Sequence, residues 1–99
     1  MPGWTFLTRH AVSLSLIAKH PKITAIELAN QMGITERAVR KIIADLSAAG
    51  YITKKREGRG IRYTIDPALS LRQVIHREIA IGDLLVSLGW ERDKADNQK

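Results

Sequence analysis

The chain has no cysteine among its 99 residues. That absence excludes disulfides, thiolate metal sites and cysteine nucleophiles, and it makes a reducing cytosol the natural setting. No apolar run approaches the roughly 20 residues of a membrane span. The N-terminus carries no charged-then-apolar pattern, so secretion is not expected. Neither a phosphate-binding loop nor a nucleophile–base pairing is present, and so short a chain leaves little room for a substrate pocket. His10, His20 and His76 stand apart, and none has a carboxylate or second histidine three or four residues away. His76 and Asp83 share a predicted helix, but at seven-residue spacing, which is wrong for a ligand pair. An enzyme, a metal site and a cofactor are therefore not expected. Acidic residues are scarce as well, 10 against 16 lysines and arginines, leaving a net charge of +6.

What the chain does hold is 44% apolar residues, enough for one small core. Its charge is unevenly spread. Residues 36–63 carry Arg37, Arg40, Lys41, Lys54, Lys55, Arg56, Arg59 and Arg62 against Glu36, Asp45 and Glu57. Eight cations over three anions place +5 of the total +6 in this one segment. Such concentration fits a polyanionic partner better than general solubility.

The chain is organised around residues 24–50, TAIELANQMGITERAVRKIIADLSAAG. Thr24 with Glu27 three residues on forms a capping box for one helix. Gly33 ends it, Thr35 caps a second helix reaching to about Ala49, and Gly50 stops that one. Ala29, four residues before Gly33, gives room for a close helix approach, and Met32 and Ile34 flank the turn. Val39, Ile42, Ile43 and Leu46 recur at i, i+3, i+4, i+7 and face the core. The opposite face holds Arg37, Arg40 and Lys41, then Ala44 and Ala48. This face suits a major groove, and taken alone it suits a solvated amphipathic helix equally well.

Before this pair, a helix over residues 5–19 places Leu7, Ala11, Leu14 and Ala18 inward. Val12 and Leu16 lie opposite, for a second surface to cover. Trp4 and Phe6 are expected to pack in the ordinary way or to join that second surface. After Gly50 the period changes to two. Residues 51–56 and 61–65 read as strands, joined by Glu57-Gly58-Arg59-Gly60, and Ile61, Tyr63 and Ile65 share the inner face. A basic hairpin here can contact DNA, with Arg59 free to reach a narrow minor groove, or it can be an edge kept soluble by charge. Ser70 then caps a predicted helix over residues 71–88, ended by Gly89. Leu71, Val74, Ile75, Ile79, Ile81, Leu85, Val86 and Leu88 cover half its circumference. That is more than one small core needs, so the helix is expected to pair with a second subunit, to pack on its own domain, or both. Glu78 and Gly82 interrupt the stripe. Glu78 either reaches solvent or pairs with Arg72, His76 or Arg77 of the partner subunit. The tail from residue 90 is polar.

Helix, helix-turn-helix, basic hairpin and final helix together resemble a winged helix-turn-helix transcriptional regulator of the MarR-like or ArsR-like type. The likeness covers about Trp4 to Leu88 and is strongest over GITERAVRKIIADLSAAGYITKKREGRGIRYTID. It implies a mainly α fold: a winged domain over residues 1–66 with a three-helix core and two-stranded wing, a long C-terminal dimerisation helix over 67–89, and a tail over 90–99. It implies a cytoplasmic, nucleoid-associated homodimer on a pseudo-palindromic site in double-stranded DNA, usually repressing transcription. Thr35, Glu36, Arg37, Arg40 and Lys41 would approach the major groove, Arg59 the minor groove, and Lys54, Lys55, Arg56 and Arg62 the phosphates. Val12, Leu16, Val74, Ile81, Leu85 and Leu88 would form the dimer interface. MarR-like proteins usually carry further helices at both ends, whereas this sequence shows one long helix after the wing, and any small-molecule effector would enter between the first and last helices. A protein-interaction module and a non-specific architectural DNA binder are the alternatives that the residues leave open.

Overall fold

Hydroxyl caps start the first three helices. In the computed structural model, which describes residues 6–71 and 78–91, Thr8 Oγ1 accepts from the Ala11 N–H at 3.1 Å. Helix α1 (Arg9–Lys19) therefore begins four residues later than the sequence suggested. Thr24 and Glu27 form the reciprocal capping box of α2 (Ala25–Met32), with both hydrogen bonds made. Thr35 Oγ1 accepts from the Ala38 N–H at 3.1 Å to open α3 (Glu36–Ala48). Each cap satisfies an N–H that no helical carbonyl can reach.

Two glycines close what the threonines open. Gly33 sits at φ 68°, and the Ile34 N–H returns to the Ala29 carbonyl at 3.1 Å. Gly50, at φ 89°, completes the same reversal: Tyr51 N–H bonds the Leu46 carbonyl and Gly50 N–H bonds that of Ser47. This pairing is the Schellman arrangement, which needs a left-handed residue that glycine supplies without a Cβ clash. The first reversal sets the angle between α2 and α3. The second turns the chain from α3 into the hairpin and drives Tyr51, 6% exposed, into the core.

Strands β1 (Ile52–Glu57) and β2 (Gly60–Ile65) pair antiparallel, Ile52 opposite Ile65 and Glu57 opposite Gly60. Only Gly58 and Arg59 lie between them, so the turn is tighter than the sequence suggested. Gly58 takes φ 61°, the first loop position where a type II′ hairpin favours glycine. On the inner face Ile52 and Tyr63 are buried and Ile65 is half-buried, but Ile61, near the tip, is exposed. The hairpin is tied to the rest of the fold by the Tyr63 N–H, which donates to the Pro21 carbonyl at 2.8 Å.

One core unites these elements. Ile17, Leu28 and Val39, from α1, α2 and α3, are fully buried at its centre. All four residues of the α3 stripe, Val39, Ile42, Ile43 and Leu46, are buried as expected. The inner face of α1 is rotated from the expected one. Leu14 and Ala18 are buried with Ile17, Ser13 and Ser15, whereas Leu7 and Ala11 are only half-buried. Ser13 can be buried because its hydroxyl donates to Met32 Sδ at 3.1 Å.

The C-terminal region departs most from expectation. A continuous helix over residues 71–88 does not form. Instead Ser70 and Ala80 form an antiparallel bridge. Leu71 N–H donates to the Ile79 carbonyl at 2.9 Å, and Ile81 N–H to that of Leu69 at 2.6 Å. In a helix, ten residues would separate Ser70 from Ala80 by roughly 15 Å. Among the described residues the helix here is α4 (Ile81–Ser87), whose Ile81 and Leu85 are 5% and 1% exposed within the same core. Gly82 is buried with its N–H on the Pro67 carbonyl, and Glu78 is exposed ahead of the helix, so the two do not share a helical face. Among the expected interface residues, Ile81 and Leu85 are thus used within the chain itself. Leu16 also packs against the core, and Val12 and Leu88 are half-buried. Val74, with Arg72, His76 and Arg77, lies outside the described residues, as do Trp4 and residues 92–99. Phe6 is 91% exposed.

Truncating α4 separates these roles. Leu85→Ala should lower unfolding free energy by about 2–5 kcal/mol, and Val86→Ala, at a 47% exposed site, by less than about 0.5 kcal/mol, as read from urea melts. Equal small effects would mean that α4 is not part of the core.

Candidate nucleic-acid interface

Burying one stripe of α3 leaves the other outward. Thr35, Arg37, Arg40, Lys41, Ala44 and Ala48 are all exposed, and Glu36 is half-buried. The long donors lie in the first half of the helix and the small residues in the second, so the basic end can enter a groove without bulk behind it.

The wing extends this surface. Lys54, Lys55, Arg56, Arg59 and Arg62 are exposed. The register puts Lys54 beside Tyr63 and Arg56 beside Ile61 on the core-facing side, and Lys55 beside Arg62 on the other. Like charges directly opposite each other on a sheet destabilise it. The Lys55–Arg62 pair is therefore a local cost that a bound anion would remove. Arg59 stands at the tip between two glycines around which space is open. Helix and wing meet at Tyr63: burial pushes its phenol above the usual range, and the nearby Arg40 charge opposes that shift.

The cations divide into paired and free. Arg40 Nε donates to Glu36 Oε2 at 2.8 Å, and its Nη2 bonds the same oxygen. Lys41 Nζ lies 3.2 Å from Asp45 Oδ1. Arg62 lies 3.9 Å from Glu57, which is held more closely by Lys22 at 2.7 Å. That contact, first among the causes, holds the Glu57 carboxyl below its ordinary range. Among the described residues, Arg37, Lys54, Lys55, Arg56 and Arg59 have no carboxylate within 4.0 Å. Exposed pairs of this kind contribute little to stability, so even the paired cations can be drawn to a stronger anion.

All of these interface cations lie within one recognisable unit. A family model described as an HTH domain matches residues 9–62. The chain belongs to the helix-turn-helix domain family. Its match runs from α1 into β2 and so includes α3 and most of the wing. Solved structures agree on the fold. A MarR protein from Peptoclostridium difficile is 21% identical with a TM-score of 0.58, over 91% of this chain and 56% of that one. A ZitR variant from Lactococcus lactis is 15% identical with a TM-score of 0.61, over 96% and 58%. MepR from Staphylococcus aureus, a transcription regulator of the multidrug efflux pump MepA, is 12% identical with a TM-score of 0.56, over 89% and 61%. The chain spans little more than half the length of the first two structures. No curated protein matches it. The architecture of this HTH domain is a MarR-like winged helix.

Sequence reasoning passed over three residues in the HTH domain. Lys22 braces the wing through Glu57 and lies 35 residues from it, with no local signal of the contact. His10 Nε2 and Asp45 Oδ2, 2.8 Å apart, join α1 to α3. Asp45 thereby links His10 to Lys41, and these hydrogen bonds, the His10 one first, hold its carboxyl below the ordinary aspartate range. His10 and Asp45 also rim a groove of about 730 Å³, lined by Phe6, Leu14, Tyr51, Leu71, Ile81 and Leu84.

A depressed carboxyl stabilises the fold above its unfolded pKa, and the contribution disappears as pH falls through the lower folded value. Asp45→Asn should therefore lower the melting temperature at pH 7, and the gap from wild type should close as pH drops below the ordinary aspartate range. A gap that persists unchanged in acid would place the effect elsewhere than in the charged network.

Proposed function

We propose that the protein is a sequence-specific, double-stranded-DNA-binding transcription regulator that acts as a homodimer, in the repressor role. The observation that carries this reading is the exposure of Arg37, Arg40, Lys41 and the wing cations, set on a helix-turn-helix. A protein-binding winged helix needs no such charge. Thr35, Glu36, Arg37, Arg40 and Lys41 approach the major groove, Lys54, Lys55, Arg56 and Arg62 the phosphates, and Arg59 the minor groove, where narrow A-tracts concentrate negative potential.

In a dimer, two α3 helices enter successive major grooves about 34 Å apart. Exposed Phe6 and Val86, with half-buried Val12 and Leu88, supply apolar surface for the second copy in place of the core residues Ile81 and Leu85. An effector, if one acts, has the groove between α1 and α4 to enter. The working place of such a regulator is the bacterial nucleoid, and among the described residues no helix is long and apolar enough to cross a membrane.

Selection of bound sequences from random duplex DNA at physiological salt, with the oligomeric state recorded, tests the proposal. An inverted repeat with half-sites one helical turn apart, bound by a dimer, is the expected result. Binding without an enriched sequence would replace the regulator by an architectural protein, and no binding at low salt would remove DNA from the account. On the selected site, Lys55→Ala should weaken all sequences alike and reduce the slope of log K against log salt by about 1. Arg59→Ala should lose more affinity on A-tract flanks than on wide-groove flanks; equal losses would take Arg59 out of the minor groove.

A further inference from the structure

The outward face of α3 carries one residue that a purely phosphate-binding surface would not hold. Glu36 stands in the first turn, its side chain 40% exposed, among cations. Facing DNA, a carboxylate repels phosphate unless it accepts a hydrogen bond there. Its pairing with Arg40 does not use the whole carboxylate. Both Arg40 donors, Nε and Nη2, converge on Oε2. Among the described residues Oε1 receives no donor.

The same pairing leaves Arg40 half-used. A guanidinium has five N–H groups in a rigid plane. Those of the Nε–Nη2 edge are turned to Glu36, while the Nη1–Nη2 edge still presents a two-donor fork. The side chain is 66% exposed, and the clamp fixes the direction of its plane, which lowers the entropy lost when the fork engages a partner. The pair thus displays two donors beside one acceptor, held together by its own hydrogen bonds. In the major groove a guanine offers two acceptors, N7 and O6, and its paired cytosine offers one donor, N4. Acceptor, acceptor, donor is the complement of what Arg40 and Glu36 present. An A·T pair offers acceptor, donor, acceptor and matches neither order.

We infer that Glu36 and Arg40 act as one reading unit for a G·C pair, Arg40 on the guanine and Glu36 Oε1 on the cytosine amino group. Glu36 is then a specificity-determining residue, which rejects other pairs by leaving its carboxylate unsatisfied near phosphate, rather than a source of affinity. The inference rests on the proposed DNA-binding function and adds the base pair that the helix selects.

The test is a binding panel in which every position of the selected half-site is changed to all four base pairs, for wild type, Glu36→Ala, Glu36→Gln and Arg40→Lys. Wild type should prefer G·C at one position per half-site by roughly 5–150-fold. Glu36→Ala should reduce that preference at this position alone while strengthening binding to unrelated DNA, because a repulsive charge is gone. Glu36→Gln should shift tolerance at this position towards A·T, since an amide can donate as well as accept. Arg40→Lys keeps the charge but loses the fork, and should weaken the same position. Melting temperatures serve as the control: a pair that only supports the helix would lower them in all variants and leave every base preference unchanged. That result would overturn the inference and leave DNA binding standing. Failure of wild type to bind any duplex would remove the binding proposal, and the inference with it.

Discussion

Burial of the Val39–Ile42–Ile43–Leu46 stripe is the constraint on which the rest of the molecule depends. These side chains are 0–6% exposed, and their packing against Ile17 and Leu28 fixes the rotation of α3 about its axis. A helix so anchored has no choice about its other face. Arg37, Arg40 and Lys41 must point outward, and Ala44 and Ala48 must follow them. The hydrophobic term is non-directional in itself, yet through helical periodicity it aims charged groups that contribute almost nothing to the fold.

Three local devices convert that anchored helix into a surface. The Gly33 reversal sets α2 against α3, the Gly50 reversal launches the hairpin beside α3, and Lys22 with the Pro21 carbonyl ties the hairpin back to the α1–α2 turn. The wing therefore inherits its position from both sides. Its cations cluster despite mutual repulsion, and among the described residues only Glu57 moderates them. Such an arrangement has low intrinsic benefit to a free protein and high benefit beside a polyanion, which is why net charge and its placement carry more functional weight here than any single contact.

Much of the architecture was legible in the sequence because its signals are short-range. Thr24 with Glu27, Thr35, Gly33 and Gly50 act within a turn of the residues they control, and the α3 stripe has a clean helical period. The exposed cations of α3 and the wing followed directly. What was not legible depends on contacts between distant segments. Ser13 looks like a surface residue until Met32 is beside it. Ile81 and Leu85 share a pattern with Leu71, and periodicity alone cannot reveal that Ser70 and Ala80 pair across a bridge. The expected dimer face was drawn on that unbroken helix, and it loses Ile81 and Leu85 to the chain's own core. The His10–Asp45 and Lys22–Glu57 links each span 35 residues, beyond any local rule. The Glu36–Arg40 pairing was not read from the sequence, although a four-residue helical spacing permits it; that one carboxylate oxygen takes both donors had no sequence signal.

The account's central claim is that the α3 outer face and the wing form one DNA-reading surface. Amide chemical shifts followed while the selected duplex is titrated into the protein test it most directly. The account predicts that the largest changes fall on residues 35–41 and 54–62 together, with the buried stripe and α4 little affected. Changes confined to the groove between α1 and α4, or spread evenly over the whole chain, would contradict it.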